Sequence, residues 1–251
     1  MNLPEGDAAS VYPVREDTEL LRPFATGRPG AWLADIGTGN GALALAAARA
    51  GLRVVATDLN RAALAALARI SRAEGLPIVA VRTDLFRGLR PVDRIVSNPP
   101  YLPTPRGVRD GDPGDDLALN GGPDGCRVTA RIVGALPRQL THGGRAYILV
   151  SSLQSASRLS RLRARFRARG GRVGRVAARP LSGERLEVWE WRPGRSRATG
   201  AALRTGRSRP GTGGRRRDPR RRRRASSRGS GPGRTRARGG ASGRRRSPPG
   251  L

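Results

Sequence analysis

The sequence of 251 residues contains no lysine, and each of its 49 basic residues is an arginine. Only 19 residues are acidic, so the formal net charge at pH 7 is +30. Phenylalanine, tyrosine and methionine are also scarce, whereas alanine, glycine and proline are abundant. This composition is typical of a GC-rich coding sequence. Part of the arginine content therefore reflects codon usage rather than selection for binding.

Cysteine and histidine are nearly absent, with Cys126 and His142 as the single representatives of each. A disulfide framework is thereby excluded, as is a metal site assembled from cysteine and histidine, and we expect no bound metal. The scarcity of cysteine agrees with a reducing, cytoplasmic setting. The first residues contain no apolar signal core, and no apolar run reaches membrane-spanning length. The sequence therefore predicts neither export nor membrane attachment.

The positive charge is concentrated in two stretches. Residues 156–179 contain nine arginines and no acid, and residues 193–251 contain 20 arginines with Asp218 as their one acid. The second stretch has no aromatic residue and cannot bury enough apolar surface to offset the entropy of ordering, so we predict that it is disordered. It is a solvated tail, an out-of-frame translation product or a nucleic-acid-binding arm. Similarly, 156–179 is either a solvated helix face or a nucleic-acid surface.

Strand-like and helix-like stretches alternate from residue 31 to residue 192. Long crossovers separate the first five strands, which predicts an α/β fold with a seven-stranded, mostly parallel sheet and helices on both faces. Ligands of such sheets bind beyond the carboxyl ends of the strands. The predicted organisation is an N-terminal segment 1–30, a catalytic domain 31–192 and a basic tail 193–251. The predicted strands cover residues 31–37, 52–58, 76–84, 92–98, 144–152, 172–179 and 185–191.

The first predicted strand ends in the glycine-rich sequence "DIGTGNG", residues 35–41. Gly37 and Gly39 allow the backbone to turn tightly against a small ligand, and a helix begins immediately afterwards with its free N–H groups directed at that ligand. The same residues satisfy the loose dinucleotide-binding pattern G-x-G-x-x-A. A plain strand–helix turn is a further interpretation, because glycine is abundant in this chain.

Acidic residues also follow the second and third strands. Asp58 ends the second strand, where a carboxylate can accept both hydroxyl groups of an adenosine ribose, although it can also serve as a loop residue near the cap of the next helix. Asp84 and Leu85 follow the third strand, where an acid can accept from an adenine amino group and a leucine can pack on the ring. Together these motifs predict a cofactor that contains adenosine.

The sequence "NPPY", residues 98–101, ends the fourth strand and is the most informative motif. A planar nitrogen with two hydrogens can be methylated when two fixed acceptors hold those hydrogens. The side-chain oxygen of Asn98 and the backbone carbonyl of Pro99 can supply both acceptors, and Pro100 helps to keep them rigid. Tyr101 offers a flat face on which a planar group can stack. The motif therefore predicts methyl transfer to an amide or to an exocyclic base amine.

These motifs, in this order, resemble those of the seven-stranded S-adenosylmethionine-dependent methyltransferases, and within them the HemK family. Two further stretches, "VYPVREDTELL" at 11–21 and "ALNGGPDG" at 118–125, resemble the short archaeal and eukaryotic branch of that family. The resemblance implies that a glutamine side chain of a peptide-chain release factor is methylated and that S-adenosylmethionine is the cofactor. In that branch a small activator subunit assists, and this chain lacks the helical N-terminal domain of the longer bacterial enzymes.

The resemblance also implies a role for each matching residue. Asn98, Pro99 and Tyr101 would be catalytic. Glu16, Asp17 and Pro100 would lie near the substrate and help to close the site. The implied cofactor contacts are Thr18, Asp35, Gly37, Gly39, Asp58, Asp84, Leu85 and Asn98.

Three other functions remain as alternatives. Methylation of a base amine in RNA or DNA uses the same motif chemistry, but a DNA enzyme usually has an added target-recognition region for which residues 1–192 leave no room. A non-catalytic nucleic-acid-binding module would use the arginine-rich tail. A nicotinamide-dependent dehydrogenase is disfavoured because it leaves the "NPPY" motif unexplained.

Overall fold

The computed structural model describes residues 16–105 and 119–194. The described residues exclude residues 1–15 of the predicted N-terminal segment, residues 106–118 and the predicted tail from residue 195 onward. The helices are α1 (Glu16–Leu21), α2 (Ala42–Arg49), α3 (Arg61–Ala73), α4 (Arg127–Gln139) and α5 (Ala156–Ala168), with a short 3-10 helix at Arg22–Phe24. The strands are β1 (Trp32–Ile36), β2 (Arg53–Asp58), β3 (Ile78–Arg82), β4 (Val92–Ser97), β5 (Leu140–Ser151), β6 (Arg172–Leu181) and β7 (Glu184–Arg192).

The seven strands form one sheet in the order β3-β2-β1-β4-β5-β7-β6. The first five strands pair in parallel, whereas β7 is antiparallel to both of its neighbours, β5 and β6. The predicted seven-stranded, mostly parallel sheet is therefore confirmed. The chain leaves β1 toward β2 on one side and reaches β4 on the other, so the switch in strand order falls beside β1, where such folds bind ligands.

Alternation along β1 divides the core between the two faces of the sheet. Leu33 packs in the apolar cluster that includes residues of α1, α2 and α3, and Ile36 packs in the cluster that includes residues of α4 and α5. Four helices each contribute a large apolar side chain that is at most 5 % exposed, namely Leu21 of α1, Leu67 of α3, Leu136 of α4 and Phe166 of α5. Helices thus cover both faces, as the sequence predicts.

The local sequence explains where α3 begins. Asn60 caps this helix, because its side chain accepts from the backbone N–H groups of Ala62 at 2.9 Å and Ala63 at 3.3 Å. Proline usually breaks a helix, which predicts a break near Pro137, yet α4 continues through that residue to Gln139. Pro137 lies in the last turn, so only the end of α4 loses a helical hydrogen bond. Among the described residues, no helix is long and apolar enough to cross a membrane.

Candidate active site

A cleft of about 570 Å³ opens at the carboxyl ends of β1, β2 and β4. It is bounded by α1 on one side and by the first turns of α3 and α4 on the other. The lining residues come from every motif that the sequence analysis singles out. They include Asp17, Thr18, Gly37, Gly39, Asp58, Asp84, Leu85, Asn98, Pro99, Pro100 and Tyr101.

The glycine-rich loop forms the floor of this cleft. Gly37 and Gly39 have positive φ angles of 73° and 51°, which only glycine adopts without strain. A Cβ added at either position would have no atom within 4 Å, so the loop presents open backbone to the cleft. Gly41 also has a positive φ, and there a Cβ would lie 2.7 Å from Leu67, which keeps α2 close to α3. The loop is therefore shaped both for its turn and for a ligand above it.

Asp35 lies beneath the glycine-rich loop rather than in the cleft wall. Its Oδ2 accepts a hydrogen bond from Thr38 Oγ1 at 2.7 Å, and its side chain is 1 % exposed. Its Oδ1 lies buried near the Ala44 backbone and has no hydrogen bond of good geometry. Burial, assisted by the nearby Asp58 carboxylate, raises the pKa of Asp35 to about 7, although the Thr38 bond acts in the opposite direction. Asp35 thus supports the loop from below.

Asp58 ends β2 and faces the cleft. Its Oδ2 accepts from the backbone N–H of Gly39 at 2.9 Å, and its Oδ1 accepts from the N–H of Asn60 at 2.9 Å. The carboxylate therefore has the loop role, because it fixes two loops. It also lines the cleft, and its contact with a ribose stays a prediction. Each carboxylate oxygen has a second lone pair, so the residue keeps capacity for the hydroxyl groups of a ligand.

Asp84 and Leu85 lie at the other end of the cleft, after β3. Leu85 has a φ of 53°, the one positive value outside glycine among the described residues. Such a conformation costs on the order of 1 kcal/mol for a leucine and is concentrated at ligand sites. Asp84 Oδ2 accepts from Arg131 of α4 at 2.5 Å, a partner that the sequence analysis did not name. The Asp84–Arg131 pair lies at the end of the cleft where the motif predicts the adenine of the cofactor.

Asn98 occupies the centre of the cleft, directly after β4. Its Nδ2 donates to Asp17 Oδ2 of α1 at 2.9 Å. Its Oδ1 is buried and finds no donor among the described residues. An acceptor left in this state costs about 1–3 kcal/mol, which a ligand with an N–H group could recover. The "NPPY" motif therefore presents one vacant acceptor at the cleft centre.

The segment after Asn98 is held against a second loop. Gly121 N–H donates to Leu102 O, and Thr104 N–H donates to Gly122 O, both at 2.9 Å. A Cβ at Gly125 would collide with the carbonyl oxygen of Tyr101, and one at Gly121 would lie 2.8 Å from the Cα of Gly125. The two loops therefore pack backbone against backbone. This explains the run of glycines in "ALNGGPDG".

Two predicted site residues do not line the cleft. Glu16 is exposed on α1, and Asp35 is buried under the floor. Conversely, Arg127, Arg131 and Glu184 line the cleft without having been predicted. Glu184 begins β7 and accepts from Ser151 Oγ at 2.5 Å. Its only sequence signal is its place at a strand start, which does not distinguish it from other acids.

The comparison with known proteins agrees with this geometry. The family profile described as the methyltransferase small domain matches residues 17–106. The chain is 32 % identical over 145 residues to the candidate protein N5-glutamine methyltransferase of Methanocaldococcus jannaschii. The match covers 57 % of this chain and 73 % of that protein. The chain belongs to the HemK family of protein glutamine methyltransferases. The resemblance noted in the sequence is thus confirmed.

Other relatives of this HemK-family protein differ in length. It is 43 % identical over 118 residues to the release factor glutamine methyltransferase of Deinococcus radiodurans, covering 44 % of this chain and 42 % of that protein. It spans about half the length of the release factor glutamine methyltransferases that it matches. These matches leave much of each relative uncovered.

Solved structures give the same fold. A chain of the E. cuniculi Mtq2–Trm112 complex, described as responsible for the methylation of the translation termination factor eRF1, is 28 % identical with a TM-score of 0.56. The match covers 73 % of this chain and 99 % of that one. The ribosomal protein L11 methylase of Lactobacillus delbrueckii subsp. bulgaricus, at 17 % identity and a TM-score of 0.51 over 71 % of this chain and 80 % of that one, shares the fold alone.

The family cofactor is S-adenosylmethionine, and the residues of the cleft fit it. The open glycine-rich backbone suits the homocysteine portion, the Asp58 carboxylate suits the ribose hydroxyls, and the pocket beside Asp84 and Leu85 suits the adenine. The vacant Asn98 acceptor lies at the remaining end, where a methyl acceptor would enter.

Proposed function

We propose that this protein transfers the methyl group of S-adenosylmethionine to the side-chain amide nitrogen of a glutamine in a peptide-chain release factor. The observation that carries the proposal is Asn98 Oδ1, a buried acceptor without a donor among the described residues, in a residue that lines the cleft. The names of the relatives support the choice of a glutamine. A reaction on a translation factor also supports the expected cytoplasmic setting.

The protein would act by positioning. Asn98 Oδ1 and the Pro99 carbonyl would accept the two hydrogens of the substrate amide and direct its nitrogen toward the cofactor. Tyr101 lines the same end of the cleft and would stack on the planar amide. Because Pro99 and Pro100 lack N–H groups, neither competes with the substrate for those acceptors.

When bound, the cofactor would supply an electrophilic methyl group. The amide nitrogen held by Asn98 and Pro99 would take up this methyl group and give up one of its two protons. The chain itself needs no nucleophile for this reaction. Its contribution is the alignment of the acceptor nitrogen and the exclusion of water from the cleft centre.

Methylation of an exocyclic base amine is the second candidate. A planar amino group of a base presents the same two hydrogens to Asn98 and Pro99, and the motif alone does not separate it from a glutamine amide. The arginines on α5 and β6 favour this candidate, because a nucleic-acid substrate needs phosphate contacts. The names of the relatives favour the glutamine.

We also propose that the arginine-rich face makes non-specific contacts with RNA, whichever acceptor is methylated. Arg161 and Arg165 of α5 and Arg169 at its C-cap recur every fourth residue, about 6 Å apart along the helix axis. All three are exposed and have no acidic partner among the described residues. A release factor is found with ribosomal RNA, so such contacts would hold the enzyme near its substrate.

We further propose that a small partner subunit binds this chain, because the solved relative is part of the Mtq2–Trm112 complex. Within the described part of the chain, β3 forms one edge of the sheet, and its Val79 is 52 % exposed. An apolar edge strand with free backbone groups is a site at which another chain can add. Full methyl transfer by the isolated chain, with no gain in stability on adding the partner, would contradict this proposal.

One labelling experiment tests the substrate. The full chain and its Asn98→Ala variant are incubated with radiolabelled S-adenosylmethionine and with release factors, total RNA or DNA in separate reactions. We expect label on a release-factor glutamine in the wild-type reaction only. Label on nucleic acid would overturn the glutamine proposal in favour of the base amine. Label on no acceptor, with and without the partner subunit and from a chain that binds the cofactor, would overturn the catalytic proposal.

A further inference from the structure

The contact between Asp17 and Asn98 joins two segments that are 81 residues apart. Asp17 lies on the short helix α1 and is 2 % exposed. Its two carboxylate oxygens accept hydrogen bonds from different residues. Oδ1 accepts from the backbone N–H and the hydroxyl of the adjacent Thr18, at 2.6 Å and 3.3 Å, whereas Oδ2 accepts from Asn98 Nδ2 at 2.9 Å.

This contact determines which end of the Asn98 amide faces the cleft. An asparagine side chain has one donor end and one acceptor end, and a carboxylate can only accept. Asp17 therefore binds the NH₂ end and leaves Oδ1 at the other end of the amide, buried and with no donor among the described residues, in a residue that lines the cleft. If the amide turned over, two acceptors would face each other and the charge-assisted hydrogen bond would be lost.

We infer that Asp17 is a positioning residue that locks the Asn98 amide with its oxygen toward the methyl acceptor. The inference rests on the proposed function and deepens it, because the family resemblance gives Asp17 only a part in closing the site. The negative charge on Asp17 also polarises the amide, which makes Oδ1 a stronger acceptor for the N–H groups of the substrate.

The substitution Asp17→Asn separates this role from a merely structural one. The new side chain can keep its oxygen on Thr18, so the local structure of α1 is preserved. Its NH₂ group then faces Asn98, and the Asn98 amide must turn over to accept from it. The variant therefore presents a donor to the substrate where the wild type presents an acceptor. A structural role alone predicts a nearly neutral substitution.

The experiment uses the full chain and measures kcat and KM for the release-factor glutamine, together with the Kd for S-adenosylmethionine. We expect Asp17→Asn to lower kcat by about 100-fold while the cofactor Kd changes by less than about threefold. The control Glu19→Gln removes a charge from the same helix, at an exposed residue that pairs with Arg22. It should leave kcat within about twofold.

The reciprocal double variant Asp17→Asn/Asn98→Asp provides a rescue test. The new carboxylate at position 98 would accept from the amide at position 17 and again turn an oxygen toward the substrate. We expect at least a tenfold higher kcat than in Asn98→Asp alone, in which two carboxylates face each other. A double variant no better than the single one, or an Asp17→Asn enzyme within threefold of wild type, would overturn the inference.

A readout independent of activity is the side-chain amide signal of Asn98 in a ¹H–¹⁵N NMR spectrum. In the wild type, its bonded proton should exchange slowly with solvent, and this protection should be lost in Asp17→Ala. Unchanged exchange would overturn the inference even if activity fell. If the wild type methylates no glutamine, the proposed function fails, while the spectrum still tests the contact.

Discussion

The cleft and the arginine-rich face of α5 and β6 use charge in opposite ways. In the cleft, Asp17, Asp58 and Asp84 each bind named partners at 2.9 Å or less. On the arginine-rich face, Arg161, Arg165 and Arg169 lack an acidic partner in the described part of the chain. In the cleft, each charge therefore has a specific partner, whereas on the arginine-rich face like charges lie side by side. A substitution in the cleft should affect one step of binding or catalysis, and the effects of substitutions on the arginine-rich face on RNA affinity should be additive.

The largest effect should follow from Asn98→Ala in the cleft. Removal of the vacant acceptor should lower kcat by about 1,000-fold, because an interaction with the transferring group is lost. Cofactor affinity should change by less than about threefold, as should RNA affinity, which belongs to the other region. Kinetic assays with calorimetry for the cofactor measure both quantities. Retained turnover would show that the acceptor is held elsewhere.

Asp58→Ala should weaken cofactor binding by about 100-fold, since a charged acceptor for the ribose hydroxyls is lost together with the two loop contacts. Titration calorimetry measures the change. Asp58→Asn is the matched control, because it keeps one acceptor oxygen and should lose only about tenfold. Equal affinity in the wild type and the alanine variant would place the adenosine outside this end of the cleft.

The pH dependence of stability should also distinguish the two regions. The pKa of Asp35 is raised from 3.8 to about 7 by burial, so the folded state binds a proton that the unfolded state has already released. The stabilisation is complete below about pH 4 and is lost as the pH rises to about 7. Arginines on the other face keep their charge throughout this range.

The variant Asp35→Asn removes this titration while keeping an acceptor for Thr38. Urea unfolding should show a stability difference from wild type that changes by roughly 4 kcal/mol between about pH 4 and about pH 8, in favour of the variant at the higher pH. A constant difference would mean that Asp35 is ionised at an ordinary pKa in the folded chain.

The smallest effect should come from the triple variant Arg161→Gln, Arg165→Gln and Arg169→Gln. RNA affinity should fall by about tenfold at about 0.15 M salt, and the slope of log affinity against log salt should decrease by about 2. Methyl transfer to a peptide substrate should be unchanged. Filter binding at several salt concentrations measures the slope.

The matched control for this variant changes three exposed arginines of α3, namely Arg61, Arg69 and Arg72, to glutamine. It removes the same charge from a different helix. If both triple variants weaken RNA binding equally, net charge alone is responsible, and the α5 face has no particular role.

Features encoded within a few residues could be predicted from the sequence. The strand ends, the glycine turn at Gly37 and Gly39 and the Asn60 cap depend on local turn chemistry, and the structure has them where the motifs lie. A strand ending before Pro99 likewise follows from the missing N–H group of proline.

Features that join distant segments could not be predicted in this way. Arg131 meets Asp84 across 47 residues and Asn98 meets Asp17 across 81 residues, and no local pattern marks either partner. Asp35 was expected to contact the cofactor because it adjoins the glycine loop. Alternation along β1 instead turns its side chain to the same face as Leu33, beneath the cleft floor. Such placements depend on how elements pack rather than on sequence spacing.

The backbone-to-backbone packing of Gly121 and Gly125 has a consequence for how this enzyme can diversify. A contact made of main chain offers no side chain for selection to exchange, so saturation mutagenesis of these two positions should return glycine alone among active clones. New acceptor preferences would have to arise from neighbouring walls that carry side chains, such as Leu119 and Glu184. In a mutational library, the tolerant wall of the cleft and the intolerant glycine loop behind it should therefore be sharply separated.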